Sequence, residues 1–214
     1  MAESVRVTEI FFSLQGETRT VGLPTAFVRL TGCPLRCSYC DTAYAFSGGE
    51  RLSFDEIVDR LRSFDARYVT VTGGEPLAQR SCLNLLRRLA DEGFSVSLET
   101  GGAHDISEVD PRVVRVVDVK TPGSGEVSRN RYQNFEKLRD SDQVKFVITG
   151  EEDYSWSVKT MNEFRLAARC EVLFSPVTEV LDPTRLAEWI LRDRLPVRFQ
   201  LQLHKILWGE APGR

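Results

Sequence analysis

Short runs of alternating or continuous apolar residues recur along this chain, and amphipathic segments separate several of them. Residues 5–12, 25–31, 67–72, 94–100, 113–120, 143–149, 170–175 and 197–203 are rich in β-branched and aromatic side chains and predict eight strands. Residues 53–64 predict a helix, because Ser53 and Glu56 stand at capping-box spacing while Ile57, Leu61 and Phe64 share one face. Leucines at 83, 86 and 89 predict a second helix over residues 78–92, ended by Gly93. Residues 155–168 carry a weaker helical pattern. Asp182-Pro183 starts a last helix, with Leu186, Trp189 and Ile190 on one face.

Strands separated by helices imply parallel pairing through crossovers. About eight strands and four helices are too few for a closed eight-fold barrel. The pattern therefore predicts an α/β fold, an open or partial barrel, in one domain over residues 1–214. The Gly/Ser/Asn-rich stretch 121–134 is expected to be the most mobile loop. The polar tail, residues 208–214, receives no role from its pattern.

Composition narrows the function. Lys plus Arg is 28 against 31 Asp plus Glu, a net charge of −3, which excludes an overall basic field for nucleic acid. No apolar run approaches the ~20 residues that span a bilayer, so no membrane association is expected. The first residues, MAESVRVTEI, lack the basic and apolar regions of a secretory signal, and a cytoplasmic location is expected.

Five cysteines, an odd number in a reducing compartment, favour metal binding or catalysis over disulfides. Cys82 and Cys170 lie in apolar surroundings and read as small core residues. Cys33, Cys37 and Cys40 form a C-x3-C-x2-C run directly after a predicted strand. A structural zinc wants four ligands, and neither His104 nor His204 sits at a ligand-pair spacing. An iron–sulfur cubane normally takes four thiolates, so three would leave one iron open to another ligand.

That spacing is similar to the cluster loop of radical S-adenosylmethionine (SAM) enzymes, in which SAM occupies the open iron. Thr72-Gly73-Gly74-Glu75-Pro76, at the end of a predicted strand, resembles their GGE segment. Tyr39 stands where such enzymes place an aromatic residue beside the adenine. Adding S-L-Q-G-E (13–17), C-D-T (40–42), L-E-T-G-G (98–102) and Q-L-H-K (202–205), the whole chain resembles the 7-carboxy-7-deazaguanine synthase family. The resemblance implies a partial radical SAM barrel with a [4Fe-4S] cluster on Cys33, Cys37 and Cys40. It also implies SAM as a catalytically used cofactor, and Mg2+ held by Thr42 as its one protein ligand. The implied reaction is radical ring contraction of 6-carboxy-5,6,7,8-tetrahydropterin with loss of ammonia.

By the same resemblance, SAM would be bound by Tyr39, Gly73, Gly74, Glu75, Asp118, Lys120, Ser175, Pro176 and Val177. The pterin would be bound by Leu14, Gln15, Gly16, Arg29, Thr72, Glu99 and His204, with Arg29 on its carboxylate. No side chain is implied as an acid or base. A flavodoxin or ferredoxin would donate electrons, and the enzyme would be a homodimer. Read without the resemblance, these residues also fit blander roles: Leu14-Gln15-Gly16 and Thr42 in turns, Arg29 and Glu99 in salt bridges, His204 in a structural contact. Two other readings share the cysteines, an activase acting on a partner protein's glycine and a zinc-binding interaction module.

Overall fold

A computed structural model describes residues 3–209 together with Ala211 and Gly213. Glu210, Pro212 and Arg214, three residues of the tail, lie outside the described residues. The strands are β1 (Ser4–Leu14), β2 (Pro24–Leu30), β3 (Glu50–Ser53), β4 (Tyr68–Gly73), β5 (Ser95–Thr100), β6 (Val114–Val119), β7 (Gln143–Ile148), β8 (Glu171–Pro176) and β9 (Arg198–Phe199). They form one sheet in the order β3-β1-β2-β4-β5-β6-β7-β8-β9. Neighbours from β2 to β9 are parallel, whereas β1 runs antiparallel to both β2 and β3. The sheet stays open, as the shortage of helices predicts.

The helices are α1 (Phe54–Arg62), α2 (Cys82–Asp91), α3 (Glu151–Glu163), α4 (Pro183–Asp193) and α5 (Leu203–Trp208). The expected capping box forms: the Ser53 hydroxyl accepts from the Glu56 amide, and Glu56 accepts from the Ser53 amide. Gly93 follows α2 with a φ of +87°, a left-handed turn that any side chain would strain. The third helix starts at residue 151, before the predicted 155, because Glu151, Glu152 and Asp153 supply the acidic first turn that a helix N-terminus favours.

Strand alternation sorts the side chains into two layers. Val28 and Leu30 of β2, Val69 and Val71 of β4, and Leu98 of β5 face α1 and α2 in one core cluster. Val144, Phe146 and Ile148 of β7, with Phe174 of β8, face α3 and α4 in another. Fully buried Leu86 and Leu89 of α2 each contribute on the order of 2 kcal/mol by leaving water. The alternate positions, among them Arg29, Thr72, Glu99, Asp118 and Lys145, turn to the other, concave face.

Two predicted elements are corrected. The pattern at 197–203 yields only the two-residue edge strand β9. Gln200 closes the ladder, its main-chain N donating to Phe174 O of β8 at 2.9 Å while its side chain donates to Gly16 O at 3.2 Å and Leu201 O at 2.8 Å, and the chain continues into α5. His204 is therefore a first-turn helical residue, not the end of a strand. The stretch 121–134 is folded into three short 3-10 turns. Asn130 clamps both main-chain groups of Lys120 at 2.8 Å, and Gly123 N donates to Asp153 at 2.7 Å.

At the N-terminal end of the sheet, Arg115 of β6 and Asp142 form a buried pair, with 4 % and 0 % of their side chains exposed. Arg139 donates to the same carboxylate. Burial alone would raise the Asp142 pKa, but hydrogen bonds from Arg115 and Arg139 hold it below the ordinary value. The stabilisation is therefore complete above the unfolded pKa of about 4 and is lost as pH falls through the folded value. Asp142→Ala leaves the buried Arg115 guanidinium on the Ile106 and Lys137 carbonyls without its carboxylate and should cost about 3 kcal/mol. A lower urea midpoint at unchanged slope is the expected result, and an unmoved midpoint would refute it.

Candidate active site

The C-terminal ends of the parallel strands and the loops after them surround one open cavity of about 230 Å3. Parallel α/β sheets place ligands at this edge, where the strands stop and loop backbone becomes available.

Cys33, Cys37 and Cys40 line one wall as free, partly buried thiols. Their loop leaves β2 and is tied down on both sides. Ser38 donates from its amide to Ser124 O at 3.1 Å and from its hydroxyl to Gly123 O at 2.6 Å, and Glu75 N donates to Gly32 O at 2.8 Å. Burial pushes the Cys33 and Cys37 thiols above their ordinary pKa, so metal loading must displace their protons. Three sulfur donors on one short loop fit an iron–sulfur cluster with an open position. Tyr39 lies between them on the same wall.

Gly73 and Gly74 line the cavity where β4 ends. A Cβ on Gly74 would collide with the carbonyl of Gly32 and lie 2.8 Å from Cys33 Cβ. Both neighbours are main chain or adjacent to it, so a side chain there must push the cysteine loop. Gly74→Ala should leave the protein folded with less than about half its iron, measured as iron per chain after reconstitution. Full iron loading would sink the claim.

Glu75 departs from expectation. Its side chain is fully buried and outside the cavity lining, accepting from Leu77 N at 3.0 Å, Thr100 Oγ1 at 2.8 Å and Gly101 N at 2.7 Å. With its carboxylate so occupied, it braces the β4 turn against the end of β5. Ser175 and Pro176 likewise pair with β7 inside the sheet and stay out of the lining, whereas Val177 reaches it. Asp118 and Lys120 both line the cavity, with Lys120 Nζ 3.5 Å from Asp118 Oδ2.

The expected pterin residues converge on the same cavity. Leu14, Gln15, Gly16, Arg29, Thr72, Glu99 and His204 all line it. Gln15 Nε2 donates to Glu99 Oε1 and the Thr72 hydroxyl to Glu99 Oε2, each at 3.1 Å. Burial raises the Glu99 pKa, with Lys145 opposing the shift. Gly16 is required by close approach, since a Cβ there would come within 2.8 Å of His204 Nδ1. Arg29 Nε donates to Glu9 Oε1 at 2.7 Å, and its guanidinium sits near the rings of Phe11 and Tyr44.

Glu17, Asp41 and His204 bring one ligand atom each to within 4.8 Å of one another, beside Thr42. Glu17 and Asp41 were absent from the expected site residues, as were Glu9, Lys145 and Gln202. Glu17 and Asp41 stand inside the quoted S-L-Q-G-E and C-D-T motifs, which was a usable signal. Gln202 stands in the quoted Q-L-H-K motif, whereas Lys145 meets them only through the fold.

A model of the radical SAM superfamily matches residues 27–117. The chain is 46 % identical to a 7-carboxy-7-deazaguanine synthase of Chlorobaculum tepidum, covering 96 % of this chain and 94 % of that one. It is 39 % identical to a 7-carboxy-7-deazaguanine synthase of Koribacter versatilis, covering 95 % and 97 %. The chain belongs to the 7-carboxy-7-deazaguanine synthase family. The crystal structure of QueE from Escherichia coli superposes with a TM-score of 0.74 at 24 % identity, over 94 % of this chain and 95 % of that one, and supports the fold. Membership of this radical SAM family implies an iron–sulfur cluster and SAM, and the three cavity thiols provide for the cluster.

Proposed function

We propose that this chain is a 7-carboxy-7-deazaguanine synthase that contracts the ring of 6-carboxy-5,6,7,8-tetrahydropterin with loss of ammonia, using SAM catalytically in 7-deazapurine (queuosine) biosynthesis. One observation carries the reading: a single cavity is lined by the three cluster thiols and by Arg29 and Glu99 among seven expected pterin residues.

When bound, the cluster and SAM supply the hydrogen-abstracting radical chemistry. The cysteine loop would hold the cluster, and Tyr39, Gly73, Gly74, Asp118, Lys120 and Val177 would form the SAM wall. Arg29 offers a fork of donors to the pterin carboxylate. Glu99, its two oxygens oriented by Gln15 and Thr72, accepts from the pterin's N–H groups. His204 in α5 lines the same cavity. The Thr42 hydroxyl, 3.3 Å from Asp41 Oδ1, offers the one hard protein oxygen by which Mg2+ would be held, with substrate and water oxygens completing its shell. No side-chain acid–base pair is needed.

The reading extends to a flavodoxin- or ferredoxin-type reductant, a cytoplasmic setting and a homodimer, for which exposed Val21 and Leu23 offer apolar contact area. No helix among the described residues is long and apolar enough to cross a membrane. The test is anaerobic turnover of the reconstituted protein with SAM, dithionite, Mg2+ and 6-carboxytetrahydropterin. Mass spectrometry should find 7-carboxy-7-deazaguanine. Slow release of 5′-deoxyadenosine without that product would discard the substrate and favour the activase reading.

A further inference from the structure

Lys145 of β7 lines the cavity between the apolar neighbours Val144 and Phe146, with only 5 % of its side chain exposed. Its ammonium lies 2.7 Å from Glu17 Oε2 and 3.2 Å from Asp118 Oδ1. Glu17 contacts the expected pterin residue His204, and Asp118 stands among the expected SAM residues. The other oxygen of Glu17 accepts from Gln202 Nε2 at 3.1 Å and lies 3.7 Å from His204 Nδ1, so Glu17 anchors α5. The other oxygen of Asp118 faces Lys120 at 3.5 Å.

A buried ammonium pays a desolvation cost that a methionine of similar length would avoid, so stability of the sheet alone does not favour it. Both of its partners line the cavity. We propose that Lys145 is a positioning residue that couples the expected pterin and SAM residues, fixing Glu17 and, through it, His204 and Gln202 relative to Asp118 and the other SAM residues. Hydrogen transfer between two bound molecules needs their reacting atoms near contact, and a displacement of about 1 Å costs on the order of a hundredfold in rate. The role rests on the synthase reading above.

The test is a double-mutant cycle of Lys145→Met and Glu17→Gln on the reconstituted protein. Each variant is measured for kcat, for SAM affinity by equilibrium dialysis and for thermal midpoint. Each single variant should lose about a hundredfold in kcat. The double variant should be no worse than about threefold below either, because both changes break one link, and SAM affinity should stay within about threefold of the parent. A purely structural lysine would instead lower SAM affinity and thermal midpoint together with kcat.

Should Lys145→Met fail to fold, Glu17→Gln cuts the same link with Lys145 still paired to Asp118. The double variant removes one charge of each sign and completes the comparison. Unchanged kcat in the single variants, losses that multiply in the double, or a parallel fall in SAM affinity would each overturn the role. An active parent with an unaffected Lys145→Met sinks this inference alone, whereas an inactive parent sinks the synthase reading and this inference with it.

Discussion

Cys37→Ala is expected to reduce formation of 7-carboxy-7-deazaguanine to background, a loss of more than about a thousandfold, because nothing else in the cavity replaces the radical chemistry that the cluster brings. The site has three thiols on a short loop, and an iron–sulfur centre held by three already has no spare protein ligand. The loop itself should survive the change. Its anchors are the Ser38 hydroxyl and the main chain around Gly32 and Ser124, none of which involves the Cys37 sulfur. The variant should therefore fold and bind little iron. Cys170→Ala is the control, since Cys170 sits in the second core cluster, away from the cavity lining. It should keep both iron and activity. Turnover by Cys37→Ala near the parent rate would remove the cluster from the mechanism, and one colourless zinc per parent chain would replace it with the zinc-module reading.

Arg29→Met should lower kcat/KM for the pterin by about a thousandfold, with the larger part in KM. A charged, bidentate contact with a carboxylate is worth several kcal/mol when water is largely excluded, and Arg29 is only 14 % exposed at its side chain. The substitution does more than delete a donor. Glu9, now held by Arg29 at 2.7 Å, would be left as an unbalanced carboxylate facing the incoming one. Tyr44, which donates to the same Glu9 oxygen at 2.8 Å, offsets only part of that charge. Arg29→Lys should recover a fraction of the loss, because an ammonium restores the charge without the planar fork. A kcat/KM for Arg29→Met within about tenfold of the parent would place the substrate carboxylate elsewhere.

The chemistry of this site was legible in proportion to how contiguous it is. The cysteine loop and the Gly73-Gly74 turn put their candidate atoms within a few residues, so spacing marked the first and the resemblance the second. Residue identity did not show that the Glu75 carboxylate braces the turn from behind. Strand β3 escaped notice because ERLS offers one apolar residue, Leu52, and gains its ladder only by meeting β1. The 197–203 segment alternates like a strand, yet the ladder ends at the Gln200 N bond to Phe174 O, and the Gln200 side chain turns to the Gly16 and Leu201 carbonyls as the chain enters α5. Lys145 was written plainly in QVKFVIT as one cation amid apolar residues. Its meaning depends on Glu17 and Asp118, 128 residues away in one case and on a neighbouring strand in the other.

The contact between the β1–β2 loop and α5 sets an order of assembly. Gly16 O accepts from Leu203 N at 3.2 Å and from Gln200 across 184 residues of sequence, and a Cβ on Gly16 would strike His204. During synthesis the cysteine loop and its neighbouring strands leave the ribosome long before residues 200–204 are made. Domains fold progressively as they emerge. A nascent chain can thus carry the iron-binding loop and six of the seven expected pterin residues while His204 is still to be made. The cavity is completed only when the last tenth of the chain docks onto its first.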